Sequence, residues 1–410
     1  MFGRDITTLF ATRITRLFAY GFLSVVLVLY LAALGFSDAR IGLLLTLTLL
    51  GDTVVSLCVT TSADRLGRKW MLIVGAALMI LAGVVFVLTR DFTVLLAAAV
   101  LGVISPSGSE VGPFLSIEQA ALAQLVDTVE KRTTLLAWYN LAGSFATATG
   151  ALAGGFLAQF LQGRGVSPVD SYRDILLIYA ALGGVLAFMF TRLTPAAEAQ
   201  AVKSRATTSS GTGSRIFEYL GLPKSGPVVV KLSGLFTIDA FAGGLVLQSV
   251  VAYWFHVRYG VQPAVLGSIF FAGNILAGVS ALAATWLAKH IGLIRTMVFT
   301  HIPSNILLIL VPLMPNLELS ITMLLLRFSI SQMDVPTRQS YTLSVVEADE
   351  RSAAGGVTGV ARSAGASVAP ALAGRLMGAS MFAAPFLIAG GLKIVYDLLL
   401  YRSFANRQSK

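Results

Sequence analysis

Apolar runs recur from one end of the chain to the other, and runs of roughly 18 to 25 residues suffice to carry a helix across about 30 Å of hydrocarbon. That feature narrows the choice of fold more than any other. In lipid every backbone N–H and C=O must be satisfied within the structure, which leaves helices and closed barrels. Runs this long and this continuous are helices. Only 12% of the residues are charged and 56% are hydrophobic, against a charged share of about a quarter in soluble domains. The expected fold is an all-α polytopic membrane protein of twelve transmembrane helices, and nothing outside the runs is large enough for a soluble domain.

The spans are read at 14–34, 41–61, 70–89, 93–122, 135–161, 174–192, 228–256, 264–288, 296–314, 319–343, 354–377 and 379–401. The first run, Leu17 to Gly35, follows Arg4, Arg13 and Arg16 in the manner of a secretory signal. It is longer than a signal's apolar core and more spans follow, so it is read as retained. The formal charge of +10 could suggest nucleic acid, but its placement argues otherwise. On this map 20 of the 30 Lys and Arg lie on the side of both termini, 6 on the other, and 4 (Arg327, Arg338, Arg362, Lys393) deep within spans. The positive-inside rule then puts both termini in the cytoplasm of a cell-membrane protein. The basic excess grips anionic lipid, not nucleic acid. Cys58 stands alone in an apolar run and three scattered histidines form no ligand set, so neither a disulfide framework nor a metal site is expected.

The polar, Ser/Thr/Gly-rich stretch at 193–226 divides six spans from six. Expected units are therefore 1–192, a cytoplasmic linker at 193–227, and 228–410. The halves repeat. "ARIG" at 39–42 matches "AVLG" at 264–267, and at that offset Gly67 falls on Gly292 and Gly35 on Gly260. Further on the offset shortens by five: "VDTVEKR" at 126–132 matches "VEADERS" at 346–352, and Gln119 falls on Gln339. Such repeats imply two pseudo-symmetric six-helix bundles, one rocking against the other over a midplane site. The five extra residues of the first half lie in or beside "ISPSGSEVGPFLSIEQ", 104–119, which carries Pro106, Gly108, Gly112 and Pro113. The expectation is that span 4 unwinds there, facing protein or a water-filled cavity. The alternative is that the helix ends at Ile104 and the rest is loop, which would leave a span too short to cross.

At 60–69 the chain reads "TTSADRLGRK". This resembles the signature between helices 2 and 3 of the major facilitator superfamily, Gly-x-Leu-Ala-Asp-Arg-x-Gly-Arg-Lys. Ala63, Asp64, Arg65, Gly67, Arg68 and Lys69 match; Thr60 and Ser62 replace the Gly and Leu. The resemblance implies an alternating-access transporter in which Asp64, Arg65, Gly67 and Arg68 latch the cytoplasmic side. The second half has Lys289 where the Asp would stand, so the latch is one-sided. "ATATGALAGG", 146–155, resembles the family's antiporter pattern; it keeps Gly150, Gly154 and Gly155 but has Ala146 and Ala151 in place of a Gly and the Pro. The resemblance tilts the reading towards export.

Charges within spans are functional candidates because each is costly to bury in lipid. Glu110, in the unwound stretch, is the first candidate for the coupling proton, with Asp52 and Asp239 as alternatives. Arg327, Ser331, Asp334 and Arg338 share one face of span 10, although Pro336 bends its lower part. With Ser107, the first three are candidates for the substrate cavity. The repeat sets Glu118 against Arg338, an acid and a base in equivalent places, and the expectation is a cytoplasmic gate in which they pair. Lys393 and Asp397, four apart, are expected to pair with each other. His301 reads as a satisfied helix-end residue. Nothing selects Tyr139 or Asn140 as cavity residues.

The function expected is secondary active transport of a small organic solute, proton-coupled and leaning towards efflux, by a monomer with no cofactor. A passive facilitator and a non-transporting receptor or scaffold are the alternatives. No nucleophile–base pairing or nucleotide motif marks an enzyme.

Overall fold

A computed structural model describes residues 3–109, 112–126, 128–198, 217, 222–347 and 350–404. Helices occupy every expected span. In chain order they are α1 (Arg4–Ser24), α2 (Leu27–Ala33), α3 (Asp38–Leu66), α4 (Arg68–Leu88), α5 (Phe92–Leu101), α6 (Phe114–Gln124), α7 (Val129–Gly163) and α8 (Pro168–Thr191). After the linker come α9 (Gly226–Gly244), α10 (Gln248–Tyr259), α11 (Pro263–Ile291), α12 (Leu293–Leu310), α13 (Leu317–Ser331), α14 (Asp334–Ser344), α15 (Arg351–Gly378) and α16 (Ala384–Phe404). Among the described residues, 9 helical stretches are long and apolar enough to cross a membrane. Spans 4 and 10 fall outside that set because each is split into helices of 15 residues or fewer, and α15 because it is rich in small and polar residues and carries Arg351, Arg362 and Arg375.

By contacts the chain divides into two compact units, residues 1–202 with 247–275, and residues 203–246 with 276–410. The outer half of span 7 and the first part of span 8 thus pack with the first six spans. Most of the expected linker, including 199–216, lies outside the described residues.

The repeat read from short sequence matches holds element by element. α3 and α11 are each 29 residues, and their first and last residues stand at the same offset. α6 and α14 are each 11 residues, at the shorter offset. Asp91 caps α5 by accepting from the Val94 amide at 3.0 Å, and its counterpart Asn316 caps α13 through the Leu319 amide at 2.9 Å. Gly67 and Gly292, the residues between spans 2 and 3 and between 8 and 9, have φ of 101° and 86°, a region open to Gly and strained for other residues. The same helix pairs pack most closely in each unit: α1 on α7 and α9 on α15, α4 on α8 and α12 on α16.

Small residues make the first of these pairs close. A Cβ on Gly21 would collide with the Thr147 carbonyl, and one on Gly150 or Gly154 with the carbonyls of Phe18 and Phe22. Gly150 and Gly154 are therefore the seam between α1 and α7, as expected where helices associate by backbone approach, while Gly155 lies against Pro263 and Gly267 at the start of α11. Gly150→Val is expected to cost about 1–3 kcal/mol by overpacking, read as a lower melting temperature of the purified protein. Gly163→Ala, on the same helix with nothing within 4 Å, is the control that leaves it unchanged.

Two details correct the sequence map. Span 1 begins ten residues earlier than expected, at Arg4, so Arg13 joins Arg16 inside α1 and both are buried. Hydropathy reads a charge as a helix end; here Arg16 stays inside because an acid meets it. Span 10 breaks at Gln332–Met333, ahead of Pro336 instead of at it. Pro336 then sits in the first turn of α14, where its missing N–H leaves no bond unmade.

Candidate functional site

Three breaks in helices carry the polar chemistry of the first unit. α5 has 10 residues where its counterpart α13 has 15, and the interval 102–113 replaces the two residues 332–333. The five inserted residues have therefore unwound five more, and the described part of the interval is irregular. It is not a surface loop: Ser105 is fully buried and Ile104 nearly so. Its backbone groups find partners on several other elements. Tyr179 donates to the Val103 carbonyl at 2.6 Å, the Ser249 amide to the Pro106 carbonyl at 3.1 Å, and Thr147 to the Gly108 carbonyl at 3.3 Å. The Gly112 amide donates to Asp52 Oδ1 at 2.6 Å. Ser24, at the break of span 1, accepts from Gln248 Nε2 at 2.8 Å, and Asn274 donates to Gln248 Oε1 at 3.3 Å. Gln248 opens α10 at the break of span 7, and a Cβ on Gly108 would press on both Ser24 and Gln248. Ser107 is half-buried, its hydroxyl accepting from the Ser109 amide at 3.3 Å. Glu110 lies outside the described residues.

Towards the other end of the same unit, Glu118 and Arg16 are both fully buried and form a two-pronged pair, Nη1 to Oε1 at 2.9 Å and Nη2 to Oε2 at 2.7 Å. Thr12 adds a third hydrogen bond at 2.8 Å, Tyr139 a fourth, and the Arg16 guanidinium lies 4.6 Å from the centre of the Phe114 ring. Asn140 holds Arg13 at 3.2 Å. Glu118 is thus satisfied within its own unit, and Arg338, its expected partner, is bonded to Asp334 and Asp239 within the other. Tyr139 and Asn140, which no pattern singled out, belong to this network: Tyr139 shares Glu118 with Arg16, and Asn140 holds Arg13.

At the signature loop the side chains of Asp64 and Arg65 lie outside the described residues. The acid that meets the loop is Glu198, beyond span 6. Its carboxylate accepts from the amides of Arg68 at 2.6 Å and Lys69 at 3.2 Å, at the N-terminus of α4 where negative charge is favoured. The Arg68 side chain donates to Gln124 at 3.0 Å and that of Lys69 to the Thr191 carbonyl at 2.7 Å.

The second unit gathers its charges in one place. Asp239 faces three cations: Lys393 Nζ on Oδ1 at 2.5 Å, and on Oδ2 Arg362 at 3.0 Å and Arg338 at 3.3 Å. Arg338 also donates to Asp334 at 2.6 Å. Asp397 is taken by His301 Nδ1 at 2.9 Å and Asn305 at 3.3 Å. Lys393 and Asp397 therefore do not pair as their spacing suggested, because Asp239 from span 7 and His301 from span 9 reach them first. Of the expected cavity residues, Asp334 joins this cluster, while Arg327 and Ser331 sit on α13 ahead of the break without joining its hydrogen bonds. Lys393, Arg362 and His301 were not expected there, although the depth of Lys393 and Arg362 within their spans was the available signal.

The two ion-pair sets are the same feature with its polarity reversed. In the first unit an acid on α6 meets a base on α1; in the second a base on α14, at the equivalent position, meets an acid on α9.

The family model described as Major Facilitator Superfamily matches residues 9–362. The Saccharomyces cerevisiae protein named "Uncharacterized membrane protein YJR124C" is 30% identical over 429 aligned positions, which take in 100% of this chain and 96% of that one. Solved structures with the same fold include the nucleoside transporter NupG, at 14% identity and a TM-score of 0.73 over 99% of this chain and 100% of that one. The D-xylose-proton symporter is similar at 12% identity and a TM-score of 0.71, covering 97% of each chain. A bacterial homolog of the human lysosomal transporter Spinster, inward-facing and unoccupied, is similar at 15% identity and 0.69, over 98% and 95%. At such identities these structures speak for the fold alone, while the family model spans most of the sequence that carries the 60–69 signature. This multi-pass membrane protein belongs to the major facilitator superfamily.

Proposed function

We propose that the protein is a secondary transporter that moves a small organic solute by alternating access, coupled to protons, in a cell membrane with both termini in the cytoplasm. The carrying observation is the hydrogen bond from the Gly112 amide to Asp52 at 2.6 Å. It ties a carboxylate in the middle of α3 to the unwound part of span 4. An ionised carboxylate is a strong acceptor of a backbone N–H, and a protonated one a weaker acceptor. Taking up a proton at Asp52 thus loosens the irregular segment, and losing it tightens the segment again. Irregular backbone at this depth is tolerated where it faces protein or lines a cavity, which supports a position beside the solute's route. Glu110, two residues from Gly112, is the second coupling candidate. Asp239, faced by three cations, balances charge in the second unit. Export in exchange for protons is the direction the glycine seam at 146–155 supports. Arg68, held through Gln124 and Glu198, is the described part of the cytoplasmic latch, with Gly67 as its turn.

Proteoliposomes loaded with a pH-sensitive dye test the reading even before the solute is identified. Across a panel of compound classes, at least one solute is expected to change the lumenal pH through the native protein, and Asp52→Asn to move that solute without the pH change. Solute flux with no proton movement in the native protein makes it a passive facilitator. Solute binding without flux makes it a receptor.

A further inference from the structure

We propose that the second unit carries a binding site for an oxyanion, a carboxylate or phosphate group, built on Arg327 and Ser331 with Arg362 as a second cation. The inference rests on the transporter reading above and names the chemistry its solute presents.

Charge balance is the first ground. Arg327 is not bonded into the cluster but stands near enough to Asp334 and Asp239 to interact with their charges; with it, Arg338, Arg362 and Lys393 face Asp239, Asp334 and Asp397, so cations exceed acids by one even with His301 neutral. The acids are already engaged. Asp239 is divided among three cations, Asp334 is bonded by Arg338, and Asp397 by His301 and Asn305.

Unused donors are the second ground. Among the described residues Arg327 makes no hydrogen bond or ion pair; its guanidinium lies 5.5 Å from the ring centre of its neighbour Phe328. Its Nε is buried without a partner, and so is the hydroxyl oxygen of Ser331, one turn away on the same face of α13. A buried donor without an acceptor is costly and rare. Two of them side by side, one cationic, define a place for negatively charged oxygen. The planar guanidinium fork matches a carboxylate or phosphate in two-pronged geometry, and the hydroxyl supplies a further donor. Arg362, bonded to Asp239 through one nitrogen, keeps 32% of its side chain exposed and has donors to spare. A cationic solute would add to the excess, and a neutral one would leave it uncompensated.

Inorganic phosphate is the probe, added at constant ionic strength to the full-length protein in phosphatidylcholine nanodiscs. A ligand at about ten times its dissociation constant is expected to raise the melting temperature by about 2 °C in a protein of this size. The rise should vanish in Arg327→Gln, persist in reduced form in Arg327→Lys, and need severalfold more phosphate in Ser331→Ala. Arg327→Gln removes a cation without a partner, so it is expected to fold; Ser331→Ala carries the test if it does not. A native protein indifferent to phosphate, or a rise of equal size in Arg327→Gln and Ser331→Ala, overturns the site. Nanodiscs containing phosphatidylglycerol separate the sources of the oxyanion. If that lipid stabilises the native protein over Arg327→Gln and phosphate then adds nothing, the site takes a headgroup. If the phosphate increment survives, it takes a free solute. Because the readout is binding, it stands even where no proton-coupled flux is found. Flux of a neutral solute with no phosphate effect overturns this site and leaves the transport reading intact.

Discussion

Glu118→Ala protein is expected to melt far below the native protein. Arg16 has no exposed surface, and both of its terminal nitrogens are bonded to Glu118. Truncating the acid leaves a guanidinium in a dry interior, while Thr12 and Tyr139 lose the acceptor they share. Breaking a buried pair from one side costs about 3–5 kcal/mol, because the charge that stays behind has lost both water and partner. Removing both charges with apolar residues of similar size is often neutral. Arg16→Met combined with Glu118→Leu should therefore recover most of the lost stability. Thermal melting of the native protein, each single replacement and the double variant forms a complete cycle. A Glu118→Ala variant that melts with the native protein would show that water or another group takes the place of Glu118 at Arg16. The same cycle bears on function: if the double variant is stable but does not transport, the pair is part of the gate and not only of the scaffold.

That pair also marks where the sequence stops being legible. The spans, the repeat and the unwinding of span 4 could all be read, because each depends on local composition or on a match between residues a fixed distance apart. Asp91 and Asn316 show how far that goes: no motif singles out the two caps, yet they fall at the offset set by Gly67 and Gly292. Contacts were not legible in the same way. The repeat makes Glu118 and Arg338 equivalent, but equivalence in a repeat says nothing of which residue each one touches. The partner of Glu118 is Arg16, 102 residues away, a residue in the first turn of span 1 that hydropathy reads as its charged end. Lys393 and Asp397 had the right spacing for a helical pair, but such pairs are worth only about 0.2–0.5 kcal/mol. A carboxylate arriving from another helix in a buried setting outweighs that. Glu198 at the signature loop escaped notice because the loop already contained an acid, Asp64, that completed the motif.

Asp239→Asn is the second change with a large expected effect. The substitution keeps the shape of the side chain and removes the one charge that Lys393, Arg362 and Arg338 share. Asp334 still holds Arg338, so the cations left exposed to one another are Lys393 and Arg362. Lys393 is the more deeply buried of these, with 9% of its side chain exposed against 32% for Arg362. It therefore bears most of the cost, again about 3–5 kcal/mol for an uncompensated buried charge, and transport in vesicles should fall to background. Lys393→Met added to Asp239→Asn restores the original balance of charge and should recover folding. Lys393→Met alone leaves Asp239 with two arginines and should be mild. Transport separates the two roles of the cluster. If the refolded double variant moves solute again, Asp239 and Lys393 only neutralise each other, and recognition rests with the arginines. If it folds but stays silent, the carboxylate itself takes part in the transport cycle, releasing its cations as the solute binds. Equal melting temperatures for Asp239→Asn and the native protein would mean that Lys393 finds water or another acid, and the cluster would then not be a dry, charge-coupled centre.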